Sequence, residues 1–226
     1  MKKKIFALLI SPRCRLIQLS TDYVFDGQSH RPYLTTDTPR PISVYGVTKW
    51  EGENAVLDVL ASRAVVLRTA WLYSAVGTNF LHSMLAAMRA HRTVRVVNDQ
   101  WGAPTATPSV AAVIWQLTDR PEFSGIAHWT DQGAVTRFEW ARAIAEDATA
   151  VGLLRDDITV NPVGTADYPT AARRPPYSVL DTRQTALTLG RSPAPWRDRL
   201  REILARLVMQ ERSPTHLSTQ RLSSPH

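Results

Sequence analysis

A phenol and an ammonium stand one helical turn apart in VYGVTKWEGE, residues 44–53. Tyr45 and Lys49 are four apart on a predicted helix, so their side chains share a face. A phenol titrates near pH 10 and is a poor acid–base group at neutrality unless something tunes it; a lysine ammonium beside it favours the phenolate. A hydroxyl at a nearby strand end could complete a relay and orient a carbonyl. LIQLSTDYVFDG, residues 16–27, supplies one: an apolar strand that stops in Ser20, Thr21, Asp22 and Tyr23. The bland reading is an ordinary amphipathic pair, because Tyr-x-x-x-Lys alone is a weak signal. Composition sharpens it. The chain has 23 Arg and 4 Lys, and Lys49 is the only lysine in residues 5–226. Arginine cannot replace lysine where a compact, tunable charge is needed.

The scaffold around these groups follows from pattern. A strand is predicted over Cys14–Ser20, a loop over 26–43, and a helix from Val44 to about Leu60 with Trp50, Ala55, Val56 and Val59 on its apolar face. RAVVLRTAWLY, residues 63–73, has the apolar run of a buried parallel strand. Thr78 or Asn79 caps a helix to about Arg89, and Val94–Asn98 is a short strand. After a loop at 99–108 come a helix over Ser109–Leu117, a strand over Gly125–Thr130, a helix over Arg137–Val151 and a strand over Asp156–Val163. Residues 164–195 read as irregular and Pro-rich; a last helix starts at Trp196, and 210–226 read as a disordered tail. Strand–helix alternation predicts an α/β fold with a mostly parallel, doubly wound, Rossmann-like sheet. Ligands of such sheets sit beyond the carboxyl ends of the strands, where STDY and TAWLY lie.

Composition excludes several classes. No apolar run approaches a membrane span, and the start MKKKIFALLISPR lacks the length and cleavage site of a signal peptide. A single Cys14 excludes an intrachain disulfide and makes a cytoplasmic location the expectation. The net charge of +7 is spread among acids, without the aromatic interleaving of a nucleic-acid surface. No metal-ligand set stands out.

At LSTDYVFDG, PISVYGVTKWEGE, LRTAWLYSAVGTNFLHSML, VVNDQWGAPT and TADYPTAARRPPYSVLDT, five blocks in order over about residues 13–207, the chain resembles the dTDP-4-dehydrorhamnose reductases of the extended short-chain dehydrogenase/reductase superfamily. The resemblance implies NADPH-dependent reduction of the 4-keto group of dTDP-4-dehydro-L-rhamnose, with NADH as the alternative donor and a homodimer as the assembly option. It implies Thr21, Tyr45 and Lys49 as the catalytic trio. Tyr45 and Lys49 would also contact the cofactor, and Tyr23, Trp71, Asn79, Gln100 and Arg173 the nucleotide-sugar. The residues themselves leave plainer roles open: Trp71 as a core aromatic, Asn79 as a helix cap, Arg173 and Arg174 as a solvated pair, and Asp22 as a brace for the loop through hydrogen bonds to backbone N–H groups.

The resemblance also implies an initial Gly-x-x-Gly-x-x-Gly turn, because a dinucleotide pyrophosphate needs close backbone approach at a helix N-terminus. No two of the ten glycines lie within three residues of each other. The expectation is therefore a short, 5′-truncated or mis-started form, with residues 1–13 atypical and 14–209 a partial Rossmann-like core intertwined with a small C-terminal α/β substrate-binding part. Residues 4–10 could add one makeshift strand. On this reading Arg15–Leu19 becomes an exposed sheet edge and the NADPH-binding capacity of the chain is reduced. The competing expectations are a non-catalytic binding or regulatory subunit, an inactive fragment, or epimerisation or dehydration at the sugar.

Overall fold

The computed structural model describes residues 14–168 and 172–212. The strand expected at residues 4–10 and residues 213–226 of the expected tail lie outside them. The centre is a three-stranded parallel sheet, in the order β1 (Leu16–Thr21), β2 (Ala64–Thr69), β7 (Gly125–His128). Leu16 pairs with Ala64 and each following residue pairs in step, so Ser20 sits beside Arg68 and Thr21 beside Thr69. Every residue of β2 is buried, as its uninterrupted apolar run requires of a central parallel strand.

Helices cover both faces. On one, α1 (Val44–Leu60) packs Val56 and Leu60 against Ala64 and Leu16. On the other, α3 (Thr107–Thr118) and α5 (Arg183–Leu189) pack Val113, Leu117 and Leu189 against Val65, Leu67 and Ala127. This is the doubly wound α/β arrangement expected. Among the described residues no strand pairs with the other edge of β1. Leu19 on that strand is 40% exposed.

A second core lies beyond the sheet's carboxyl end. There α2 (Phe80–Ala90), α4 (Arg137–Ala150) and α6 (Trp196–Arg212) enclose Leu85, Trp140, Ile144 and Leu204 together with the parallel pair β4 (Thr93–Val97) and β9 (Thr159–Val163). Two-residue strands join the layers: β3 (Leu72–Tyr73) beside β6 (Thr105–Ala106), and β5 (Trp101–Gly102) antiparallel to β8 (Val135–Thr136). Thr136 and Glu139 cap α4 reciprocally.

Three expectations need correction. The strand predicted over 63–73 is broken, because Trp71 takes a left-handed backbone (φ 44°) and turns the chain between β2 and β3. The irregular 164–195 contains helix α5, closed by Gly190 in the left-handed region (φ 60°). Helix α6 runs to Arg212, three residues into the expected tail, where the Arg89–Glu211 ion pair ties it to α2.

Candidate functional site

The end of β1 passes into a 3-10 turn, Asp22–Val24, capped by the Thr21 hydroxyl, which accepts the Tyr23 N–H. Helix α1 starts beside this turn, capped by Ser43 through the Gly46 N–H. Gly46 lies directly against the Tyr23 carbonyl oxygen, and Pro41 closes the other side, so any side chain at position 46 would push the helix away. This contact seats Tyr45 and Lys49 at the sheet end. The Tyr45 and Tyr23 rings meet edge to face at 6.2 Å between centroids. Lys49 Nζ donates to the Leu19 carbonyl of β1 at 2.6 Å. Tyr45 is 54% exposed, so its phenol is open to an incoming molecule.

Thr21 is buried and donates its hydroxyl proton to Asp22 Oδ1 at 3.0 Å. The other oxygen of Asp22 accepts from Ser178 at 2.5 Å, tying the Pro-rich 172–181 segment to the strand end. Burial pushes the Asp22 carboxyl up to about 6, against the opposing pull of those two hydroxyls. The sequence left Asp22 a bracing role through backbone N–H groups of the loop; the donors just described are the Thr21 and Ser178 hydroxyls.

Tyr23 is half-buried and hydrogen-bonds Arg137; burial first, and then the neighbouring Asp22 charge, push its phenol up. The Arg137 guanidinium lies 3.6 Å over the Trp71 ring and 5.0 Å from the Phe80 ring centroid. Burial works against the Arg137 charge, and no carboxylate among the described residues lies within salt-bridge distance of it. Arg137 lines a cavity of about 380 Å³ with Arg95, Arg174, Gln100, Phe80, Met84 and Tyr168. Three guanidiniums and two aromatic rings in one cavity suit an anionic ligand that also carries a planar group.

The other predicted contacts divide. Gln100 is buried, lines this cavity and donates to Thr165 at 3.0 Å. Trp71 is 9% exposed, stacked on Trp140, and covered by Arg137, with Gly102 flat against its indole. It touches the cavity through Arg137 rather than as an open wall. Asn79 caps α2, accepting from the His82 N–H and donating to the Ser74 carbonyl. Arg173 is exposed; its neighbour Arg174 is the one that reaches the cavity, because the chain alternates sides approaching buried Pro175. The sequence reading missed Arg137. The available signal was a cation in the first turn of a predicted helix, where the helix dipole favours acids.

A parallel sheet wound on both faces, with this hydroxyl, phenol and ammonium set at its end, is the Rossmann-like fold of the extended short-chain dehydrogenases/reductases. Residues 7–209 match the RmlD substrate-binding domain, and the chain belongs to that family. The dTDP-4-dehydrorhamnose reductase of Aggregatibacter actinomycetemcomitans is 36% identical over 195 residues, covering 84% of this chain and 66% of its own length. A dTDP-4-keto-6-deoxy-D-glucose reductase of Streptomyces niveus is 43% identical over 166 residues, covering 74% and 56%. Among solved structures, a dTDP-4-dehydrorhamnose reductase from Bacillus anthracis in complex with NADP superposes with a TM-score of 0.77 at 30% identity, over 85% of this chain and 66% of that one. The chain thus spans less than two thirds of the length of these relatives.

Proposed function

We propose that this chain carries the catalytic residues for NADPH-dependent reduction of the 4-keto group of a dTDP-linked 6-deoxyhexose, dTDP-4-dehydro-L-rhamnose becoming dTDP-L-rhamnose. The observation that carries this reading is the meeting of Tyr45 and Lys49 with the Thr21 end of β1, linked through Tyr23 and Arg137 to an arginine-lined cavity. Two of the relatives above are named dTDP-4-dehydrorhamnose reductase and dTDP-4-keto-6-deoxy-D-glucose reductase, which supports the substrate class.

Tyr45, with its exposed phenol, is the proton donor to the carbonyl oxygen. Lys49, on the same helix face, holds its ammonium at the end of β1. Thr21 has one hydroxyl proton, which Asp22 now takes. To orient a carbonyl oxygen, Thr21 must turn that proton away from Asp22. Arg137, Arg174 and Arg95 bind the diphosphate, while Phe80, Met84 and Tyr168 offer the apolar and aromatic wall for the base.

The cofactor fits at one end. Lys49 and Tyr45 present the ammonium and hydroxyl that a nicotinamide ribose needs. When bound, NADPH supplies the hydride, and NADH is the alternative donor. Among the described residues no glycine-rich turn leads from a strand into a helix, so none is assigned to the cofactor's pyrophosphate.

The test is purified chain, NADPH and dTDP-4-dehydro-L-rhamnose, followed by loss of absorbance at 340 nm and by product analysis. Turnover abolished in Tyr45→Phe supports the assignment. No turnover above the uncatalysed background overturns it for this chain.

A further inference from the structure

We propose that Glu53 and Arg68 form a positioning clamp that sets where Tyr45 and Lys49 stand against the end of β1. The clamp's catalytic consequence rests on the reading of Tyr45 and Lys49 given above.

Tyr45, Lys49 and Glu53 follow one another at four-residue steps, so they lie along one face of α1. Glu53 is 1% exposed, an acid in the middle of the helix's buried face. The apolar face read from the sequence did not include it. Its carboxylate takes Arg68 through three contacts, Nη2–Oε2 at 2.6 Å and Nε at 2.9 and 3.2 Å, and also accepts the Ser20 hydroxyl. Ser20 and Arg68 are side-by-side partners of β1 and β2, and the next rung is Thr21 with Thr69. The acid therefore fastens one turn below Lys49 to the rung immediately before Thr21.

The far end of Arg68 is held as well. Its Nη1 approaches His128 Nε2 at 3.5 Å, and the guanidinium lies 5.2 Å from the Phe25 ring centroid. His128 Nδ1 meets the Tyr33 carbonyl at 3.1 Å, which places the proton on Nδ1 and leaves Nε2 to accept from Arg68. Burial and then the Arg68 charge drive the imidazole down to about 3, consistent with a neutral ring.

A buried ion pair is poorly explained as a source of stability, because apolar residues of similar volume do as well or better. What it does supply is register: a bidentate guanidinium–carboxylate contact tolerates little sliding or rotation. Gly46 against the Tyr23 carbonyl anchors the helix upstream, and Glu53 anchors it downstream. Tyr45 adjoins the first anchor and Lys49 lies between the two, so helix rotation and slide at the reactive pair are set from both ends.

The test replaces the pair by apolar residues, Glu53→Leu with Arg68→Met, in the full chain. Nuclear Overhauser contacts between the Tyr23 and Tyr45 rings report position without requiring activity. The expected result is a folded variant in which that contact is lost and kcat falls at least tenfold with KM within about twofold. A folded variant that keeps the ring contact overturns the proposal. If this variant does not fold, Ser20→Ala, which removes one hydrogen bond to Glu53, decides: weakened ring contact supports the clamp, and an unchanged one overturns it. If the unsubstituted chain shows no turnover, the reductase reading falls while the ring contact still decides the clamp.

Discussion

Gly46 rests on the carbonyl oxygen of Tyr23 so closely that a Cβ there would overlap it, with the Pro41 ring only 2.9 Å away on the other side. Neither neighbour is the loose end of a flexible side chain, so neither can yield cheaply. Gly46→Ala should therefore destabilise the protein by about 1–3 kcal/mol, despite the better helix propensity of alanine. Thermal unfolding followed by circular dichroism should show a midpoint lower by several degrees. An unchanged midpoint would mean that the helix does not bear on the turn.

Tyr45 and Lys49 sit at the rim rather than in the core. Tyr45→Phe removes a phenolic oxygen from a side chain that is 54% exposed, so its melting temperature should stay within about 2 °C of the parent. Loss of a general acid should instead cost roughly 10²–10⁴ in turnover. Lys49→Met should show the same pattern with an added rise in the Michaelis constant for NADPH. A large loss of stability in Tyr45→Phe would show that the phenol is structural.

Arg137 carries a half-buried positive charge held by aromatic faces and Tyr23 rather than by a salt-bridged carboxylate. A diphosphate would neutralise it. Arg137→Ala should weaken dTDP binding about 10–100-fold, in the range of hydrogen bonds to charged groups, as read by titration calorimetry. Arg173→Ala, on the exposed neighbour side, should change it little. Equal losses in the two variants would refute the assignment of the cavity to the nucleotide.

Asp22 and His128 pull the pH dependence of stability in opposite directions. The folded Asp22 titrates near 6 against an ordinary 3.8, so the folded state holds its proton more tightly than the unfolded one. Its contribution is most favourable below about 4, and it is lost as pH rises through 6, a swing of roughly 3 kcal/mol. His128 is pushed from 6.5 down to about 3, so its contribution is complete above 6.5 and is lost as pH falls. Asp22→Asn should gain stability relative to the parent at pH 7 and lose that advantage near pH 4.5, as measured by urea unfolding at the two values. A difference independent of pH would mean that Asp22 is not the titrating group.

Much of the site was legible before the fold. The strand ending in Ser20 and Thr21, the helix from Val44 to Leu60 and the isolation of Lys49 follow from apolar periodicity and composition, both of which are local. Asn79 as a cap is local too, since its side chain bonds a backbone N–H three residues on. The broken strand at Trp71 was hidden, because its left-handed turn accompanies packing of the indole against Gly102, thirty-one residues away. Arg137 and Arg174 were hidden for the same reason: a charged residue reads as solvated until distant rings and strands close over it.

The α/β class, the order of the main elements and the phenol–ammonium pair on one helix face are thus local properties of the chain, because periods of two and 3.6 residues are written in neighbouring positions. It takes the closed fold to put Glu53 inside against Arg68, to tie Ser178 to the strand end through Asp22, and to bring three arginines into one cavity. Those contacts join residues 15 to 156 positions apart, and their energies come from burial and charge that exist only once the chain has closed.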